Sequence, residues 1–184
     1  MGIVDIIAFR QVVAVLDTFF GDSGKGKIVD FLASLTDKNK LVFPVVYRPN
    51  GGPNTGHTVR VRDKKYVFHL IPSAAVNPEV KCLIGRGVVF DPPTFFAELD
   101  TIKEHSWGNI EVDRNAHVIM PWHIMLDNLR EAVSGENKIG TTGKGVGPCM
   151  ETKCARNGFV TIEMLNNNTD LETAAEKAIE RIGG

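Results

Sequence analysis

The chain runs to 184 residues, 43% hydrophobic and 23% charged, a globular composition long enough to bury one substantial core, which excludes a disordered class. A formal net charge of −1 excludes a global basic field for nucleic acid, so any phosphate ligand must be held by local clusters. Cys82, Cys149 and Cys154 show no C-x-x-C or paired Cys/His spacing, against a zinc site or disulfide framework, and no run reaches the roughly 18 apolar residues of a membrane span; a soluble cytoplasmic protein is expected.

In chain order, the apolar runs Ile3 to Ala8 and Val12 to Leu16 predict an N-terminal extension and a buried first strand. Gly21-Asp22-Ser23-Gly24-Lys25-Gly26-Lys27 follows and runs directly into Ile28 to Ala33. Strand, glycine-rich turn and helix in that order place backbone N–H groups and a positive helix N-terminus where a phosphate can sit. The spacing satisfies Gly-x-x-x-x-Gly-Lys, but Ile28 stands where a P-loop carries the Ser or Thr hydroxyl that holds Mg²⁺, which leaves Asp22 as the hard oxygen donor in the turn. A glycine turn with solvated charges is the bland alternative. Ile28, Phe31, Leu32 and Leu35 recur at helical spacing, and Thr36 to Asn39 closes that helix.

Leu41 to Tyr47 reads as a strand interrupted by Pro44, and Arg48 to Thr58 as a loop too rich in Gly, Pro and Asn for regular structure. Val59 to Arg62 and Tyr66 to Leu70 read as a hairpin around a charged turn, with His69 a structural residue of its strand. Lys81 to Phe90 supplies another strand, and Asp91-Pro92-Pro93 caps a helix from about Thr94 to His105. Glu111 to Met120 is expected as a strand. Trp122 to Val133 is expected as a helix with an apolar stripe of Trp122, Met125, Leu126, Leu129 and Val133, its aromatic and Met residues in the core, and His117 and His123 as packing or surface residues. A third glycine segment, Ile139 to Pro148, brings hydroxyls and cations together as a phosphate-contacting loop or, alternatively, a mobile structural one. Asn166 to Asp170 caps a last helix, Leu171 to Ile182, and neither an internal repeat nor a low-complexity tract is present.

Three glycine loops, each following an apolar element in a βα chain, predict an α/β fold: a mostly parallel central sheet with flanking helices and a P-loop-like phosphate-binding turn. Gly21 to Asp30, Gly51 to Thr58, His69-Leu70-Ile71-Pro72-Ser73 and Ile139 to Pro148 together resemble the adenylosuccinate synthetase family in its own order and spacing. The resemblance covers nearly the whole chain, and since family members are far longer it implies residues 1–184 as the N-terminal part of such a domain.

The resemblance implies a GTP-dependent ligase. GTP phosphorylates the 6-oxygen of IMP, and the amino group of L-aspartate then displaces that phosphate, giving adenylosuccinate, GDP and phosphate in AMP synthesis. It implies Asp22 as the base at IMP N1 and a Mg²⁺ ligand, His57 as donor to the transferring phosphoryl group, and Lys25 as its counter-charge. It further implies a single Mg²⁺ per subunit held by Asp22 and the Gly56 carbonyl. GTP would be contacted by Gly21 through Lys27 (Gly21, Asp22, Ser23, Gly24, Lys25, Gly26, Lys27) with Gly56, His57 and Thr58. IMP would be contacted by Asp22, Ser23, Gly24, Lys25, Asn54, Thr55, Gly56, His57, Thr142 and Arg156. Arg156 would reach the IMP of a partner subunit in a homodimer.

Three positions depart from the family's usual residues: Ser23 stands for Glu, Lys144 for Arg and Asn157 for a second Arg. Ser23 removes a carboxylate beside Asp22, and Lys144 exchanges a planar fork for a point charge. A non-catalytic nucleotide-binding fragment, or a related ligase acting on another purine nucleotide, are the competing readings. A P-loop GTPase or kinase is disfavoured by Ile28 and by the absence of an Asn-Lys-x-Asp guanine motif.

Overall fold

The computed structural model describes residues 12–18, 23–61, 63–103, 109–135 and 140–166. They fall into two compact units, one made of the described residues within 1–48, 55–84 and 96–111, the other of those within 49–54, 85–95 and 112–184. The chain is mixed α/β. Strands β3 (Val45–Gly51), β6 (Lys81–Phe90) and β7 (Ile110–Val112) are ordered β3-β6-β7, with β8 (His117–Val118) pairing β6 in parallel.

In the first unit, helix α1 (Lys25–Ala33) is followed by a hairpin of β1 (Thr36–Asp37) and β2 (Lys40–Leu41). Lys38 and Asn39 take φ of 48° and 63°, the double left-handed turn that matches the twist of a two-residue hairpin. The segment expected only to close α1 therefore also makes a strand pair. Pro44, which donates no hydrogen bond, stands just before β3 and accepts one from Lys81 N–H (2.8 Å). The anticipated hairpin is present: β4 (His57–Val61) and β5 (Lys64–Phe68) are antiparallel, with His57 opposite Phe68 and Val59 opposite Tyr66. Val59, Tyr66 and Phe68 are buried while Thr58, Arg60 and Val67 are exposed, the period of two that a half-buried sheet requires. Leu70, Ile71, Val80, Cys82 and Ile84 extend this core.

In the second unit, Asp91 Oδ2 accepts the Thr94 N–H (3.2 Å) and the Thr94 hydroxyl, and Pro92 and Pro93 sit in the first turn of α2 (Pro92–Ile102), as the cap reading anticipated. Helix α3 (Pro121–Val133) begins with Pro121, and the N–H of Met120 before it is taken by His123 Nδ1 at 3.0 Å, one half of a capping box. Helices α4 (Val146–Cys154) and α5 (Thr161–Asn166) follow. Two small apolar clusters form this core: Val118, Met120 and Phe159 with Trp122 against them, and Val89, Ile119 and Cys149 with Val146 and Met150.

Several expectations are corrected. Val12 to Leu16 is not a buried strand: Val12 is 82% and Leu16 86% exposed, and the segment has no regular structure, since a strand exists only where a neighbour takes its N–H and C=O groups. The Arg48 to Thr58 loop is shorter than expected, because β3 persists to Gly51 and β4 starts at His57. Glu111 to Met120 is not one strand but β7 and β8 around a turn in which Asp113 Oδ1 accepts the Asn115 N–H. In α3, the stripe residues Met125, Leu129 and Val133 are 60–78% exposed, so Met125 is not in the core, and His123 lies in the interior instead. Helix α5 was unanticipated; the expected extension at Ile3 to Ala8 and helix at Leu171 to Ile182 lie outside the described residues.

Candidate functional site

Helix α1 opens on Gly24, whose φ of 82° and ψ of 14° are left-handed, and among the described residues no side chain caps this end. Such an end presents backbone N–H groups and the positive pole of the helix to whatever lies before it. The first turn holds Lys25 and Lys27 and no acidic residue. Gly26 is required by contact: a Cβ there would meet His57 Cβ at 3.0 Å, and the Gly26 carbonyl accepts the Ser73 hydroxyl at 2.9 Å. The first glycine turn, His57 from the second and Ser73 from the His69 to Ser73 motif are thus joined within one unit. Gly56 lies beside them, where a Cβ would fall 3.1 Å from His69 Nε2. Thr55, Gly56 and Thr58 are exposed and His57 is half-buried. Burial raises the Asp30 carboxyl on the inner side of α1 above its ordinary value. Gly21 and Asp22 lie outside the described residues.

Asp17, which sequence reasoning passed over, pairs with Lys25: its Oδ2 accepts from the Lys25 ammonium and from the Ser23 hydroxyl. It stands directly after the apolar run and eight residues from Lys25, a separation no helix or strand period would flag. Glu98 and Asp127 were missed for the same reason, since each acts on backbone far away in sequence.

The second unit holds Asn54, Thr142 and Arg156. Gly52 makes the close approach here, where a Cβ would lie 2.7 Å from Val89 Cγ2 and 3.1 Å from Val146 Cγ2, so the second glycine segment touches the first residue of α4. The third segment is anchored by one stretch of α3. Glu131 accepts the N–H groups of Gly140 and Thr141 (each 3.3 Å), a Cβ on Gly143 (φ 62°) would meet Asn128 Oδ1 at 2.7 Å, and Asp127 Oδ2 takes the Gly145 N–H at 2.9 Å. Thr142 and Lys144 remain exposed between these anchors.

At the far end of α4, Arg156 sits in the left-handed region (φ 61°), its N–H bonded to the Lys153 carbonyl (3.2 Å) and the next N–H, of Asn157, to the Thr152 carbonyl (3.1 Å). That is a Schellman ending, usually built with glycine, and a side chain there costs about 1 kcal/mol.

Below the loop, His123 Nδ1 is an acceptor, so Nε2 carries the proton toward Thr152 Oγ1 (3.2 Å), whose hydroxyl donates to the Cys149 carbonyl (2.9 Å). Burial first, and the neighbouring His117 second, push His123 down to about 4. It is a packing residue, as the sequence suggested. Burial likewise pushes the Cys82 and Cys149 thiols up to about 12, which leaves them unreactive.

The family profile described as adenylosuccinate synthetase matches residues 14–182. Adenylosuccinate synthetase from Halothermothrix orenii is 47% identical over 160 residues, 86% of this chain and 36% of that protein; the one from Nitratidesulfovibrio vulgaris is 48% identical over 152 residues, 80% and 34%. The chain thus spans about a third of the length of these relatives. Among solved structures, fully ligated adenylosuccinate synthetase from Plasmodium falciparum superposes with a TM-score of 0.73 at 30% identity, covering 89% of this chain and 36% of that one. A cyanophage S-2L succinoaminodeoxyadenylate synthetase bound to dGMP and dATP, at 23% identity and a TM-score of 0.59, shares the fold.

Proposed function

The chain belongs to the adenylosuccinate synthetase family, and we propose that it carries the phosphate-binding and phosphoryl-transfer part of a GTP-dependent ligase that joins L-aspartate to IMP. In that reaction the 6-oxygen of IMP takes the γ-phosphoryl group of GTP, releasing GDP. The aspartate amino group then forms the C–N bond as inorganic phosphate leaves, giving adenylosuccinate. The observation that carries the reading is the block in which the first turn of α1, which also carries Lys25, lies against His57 through Gly26. Phosphoryl transfer needs little covalent chemistry from a protein; it needs positive charge and donors fixed where charge spreads over the phosphoryl oxygens.

In this reading Asp22 removes the N1 proton of IMP, making the 6-oxygen nucleophilic. Lys25 and the turn amides of Gly21 through Lys27 hold GTP, with Thr58 beside them, and His57 donates to the transferring group. Lys25 exchanges its contact with Asp17 for a phosphate oxygen. Asn54, Thr55 and Thr142 hold IMP. Arg156 crosses to the IMP of the partner in a homodimer, and its left-handed backbone, tolerated without glycine, supports a functional demand for that guanidinium.

Mg²⁺ takes few protein ligands and completes its shell with phosphate and water oxygens. A carboxylate at Asp22 and the carbonyl of Gly56 are suitable hard donors. The bare backbone imposed on Gly56 by His69 lets that carbonyl approach a ligand. When bound, the ion would supply charge neutralisation to the nucleotide phosphates.

Among the described residues no helix is long and apolar enough to cross a membrane, and we place the enzyme in the cytoplasm. The test is to follow adenylosuccinate from IMP, GTP, Mg²⁺ and L-aspartate with this chain alone and with the chain joined to the remaining length of a relative. Product from the joined protein, abolished by Asp22→Asn, is the expected result. Binding of GTP and IMP without product from either would leave the non-catalytic reading.

A further inference from the structure

The His69-Leu70-Ile71-Pro72-Ser73 motif contacts α1 through the Ser73 hydroxyl. The first unit shows what surrounds its first residues. Glu98 on α2 is 5% exposed, and its carboxylate collects three successive backbone N–H groups, those of His69 (2.5 Å), Leu70 (3.1 Å) and Ile71 (2.9 Å). The same carboxylate lies 3.2 Å from His69 Nδ1. From the other side Arg48 donates to the carbonyls of His69 (2.5 Å) and Leu70 (2.9 Å). Charge-assisted bonds to both the N–H and the C=O groups leave this turn little freedom, and a carboxylate that gathers three amides fixes it more firmly than one bond would.

The consequence lies at the imidazole. With Nδ1 on Glu98, the opposite Nε2–Cδ2 edge of the ring lies at Gly56, Nε2 3.1 Å from where a side chain would begin. Gly56 is followed by His57, whose Cβ is seated on Gly26 of α1 and whose ring lies 5.9 Å from Phe68. His69 is thus the wall on one side of the Gly56–His57 corner and α1 the wall on the other.

We propose that His69 is a positioning residue, held by Glu98, that fixes the Gly56–His57 corner at the terminal phosphoryl group of the nucleotide. This rests on the functional reading above, in which that corner contacts GTP while Lys25 and the turn amides grip the remaining phosphates. Losing the wall should therefore reduce recognition of the third phosphate more than recognition of the first two.

The test is calorimetric binding of GTP and GDP, each with Mg²⁺, to the full chain and to His69→Ala and His69→Gln. The expected result is a loss of at least 10-fold in GTP affinity for His69→Ala with GDP affinity within about 3-fold of wild type. His69→Gln, whose amide can still reach Glu98 and whose stem fills the space beside Gly56, should recover most of the loss. If His69→Ala does not fold, Glu98→Gln is read by the same GTP-to-GDP ratio and should lower it. Equal loss of both nucleotides, an unchanged ratio, or no recovery in His69→Gln would overturn the proposal. Wild-type chain that binds neither nucleotide would overturn the functional reading and the proposal with it.

Discussion

Gly24 and Gly145 open helices α1 and α4 in nearly the same backbone conformation, φ 82° and ψ 14° against φ 73° and ψ 13°, and among the described residues neither end has a side-chain cap. Both stand in a Gly-Lys-Gly context. Their surroundings nonetheless differ. Among the described residues a Cβ on Gly24 would meet nothing within 4 Å, whereas one on Gly145 would strike the backbone of His123 and Ile124 at 2.9 and 2.8 Å, and the Gly145 N–H is taken by buried Asp127. Among the described residues nothing packs on the first helix end at Gly24. The second is locked against α3 and uses its rigidity to present the exposed Thr142 and Lys144 just before it. One sequence signature thus stands in two different packing environments.

The sharpest way to break this contrast is to substitute both glycines. Gly145→Ala combines left-handed strain with a backbone clash and should cost about 3 kcal/mol or more, lowering the thermal midpoint by roughly 6–12 °C for a chain of this size. Gly24→Ala carries the strain alone. Equal losses would mean that the two ends are packed alike.

Acid should loosen the second region selectively. His123 stays neutral in the folded state down to about 4, against an unfolded value near 6.5, so between those values the unfolded chain binds the proton and the folded one does not. Its contribution is complete above pH 6.5 and is lost as pH falls through that window toward 4, on the order of 2 kcal/mol. Denaturant midpoints at pH 7.5, 5.5 and 4.5 should show this slope in the wild type, and His123→Gln should reduce it; an unchanged slope would remove His123 from the account.

Asp127→Ala leaves the Gly145 N–H without its acceptor in a buried setting and should cost about 2 kcal/mol, read from the same denaturant midpoints. A cost below a few tenths would show that Asp127 does not anchor the loop. The smallest stability effect is that of Gly24→Ala, about 1 kcal/mol, yet its loss of GTP affinity should exceed that of Gly145→Ala if, as proposed, the start of α1 is the end that meets the nucleotide.

The glycine-rich start of α1, the β4–β5 hairpin, strand β6 and the Asp91 cap were legible because each is written in residues adjacent in sequence: an αL glycine, an alternating pattern, a carboxylate before two prolines. The residues that fix the site were not. Glu98 acts on amides 27–29 residues before it, and Asp127 on one 18 residues after it. In the sequence each is one polar position on an amphipathic helix. The apolar stripe Met125, Leu129 and Val133 misled in the opposite direction, since periodicity reports an amphipathic face without reporting what covers it. Val12 to Leu16 failed as a strand because pairing is a property of two segments and only one was visible.

The central claim is that the start of α1 is a nucleotide-phosphate cradle, and thermal unfolding of the full chain with GTP, with and without Mg²⁺, tests it most directly. At one hundred times its Kd, GTP with Mg²⁺ should add about 2.7 kcal/mol, a rise of roughly 5–10 °C that is smaller without the metal and lost in Lys25→Ala. A midpoint unmoved by millimolar GTP and Mg²⁺, or one that rises equally in wild type and Lys25→Ala, would contradict it.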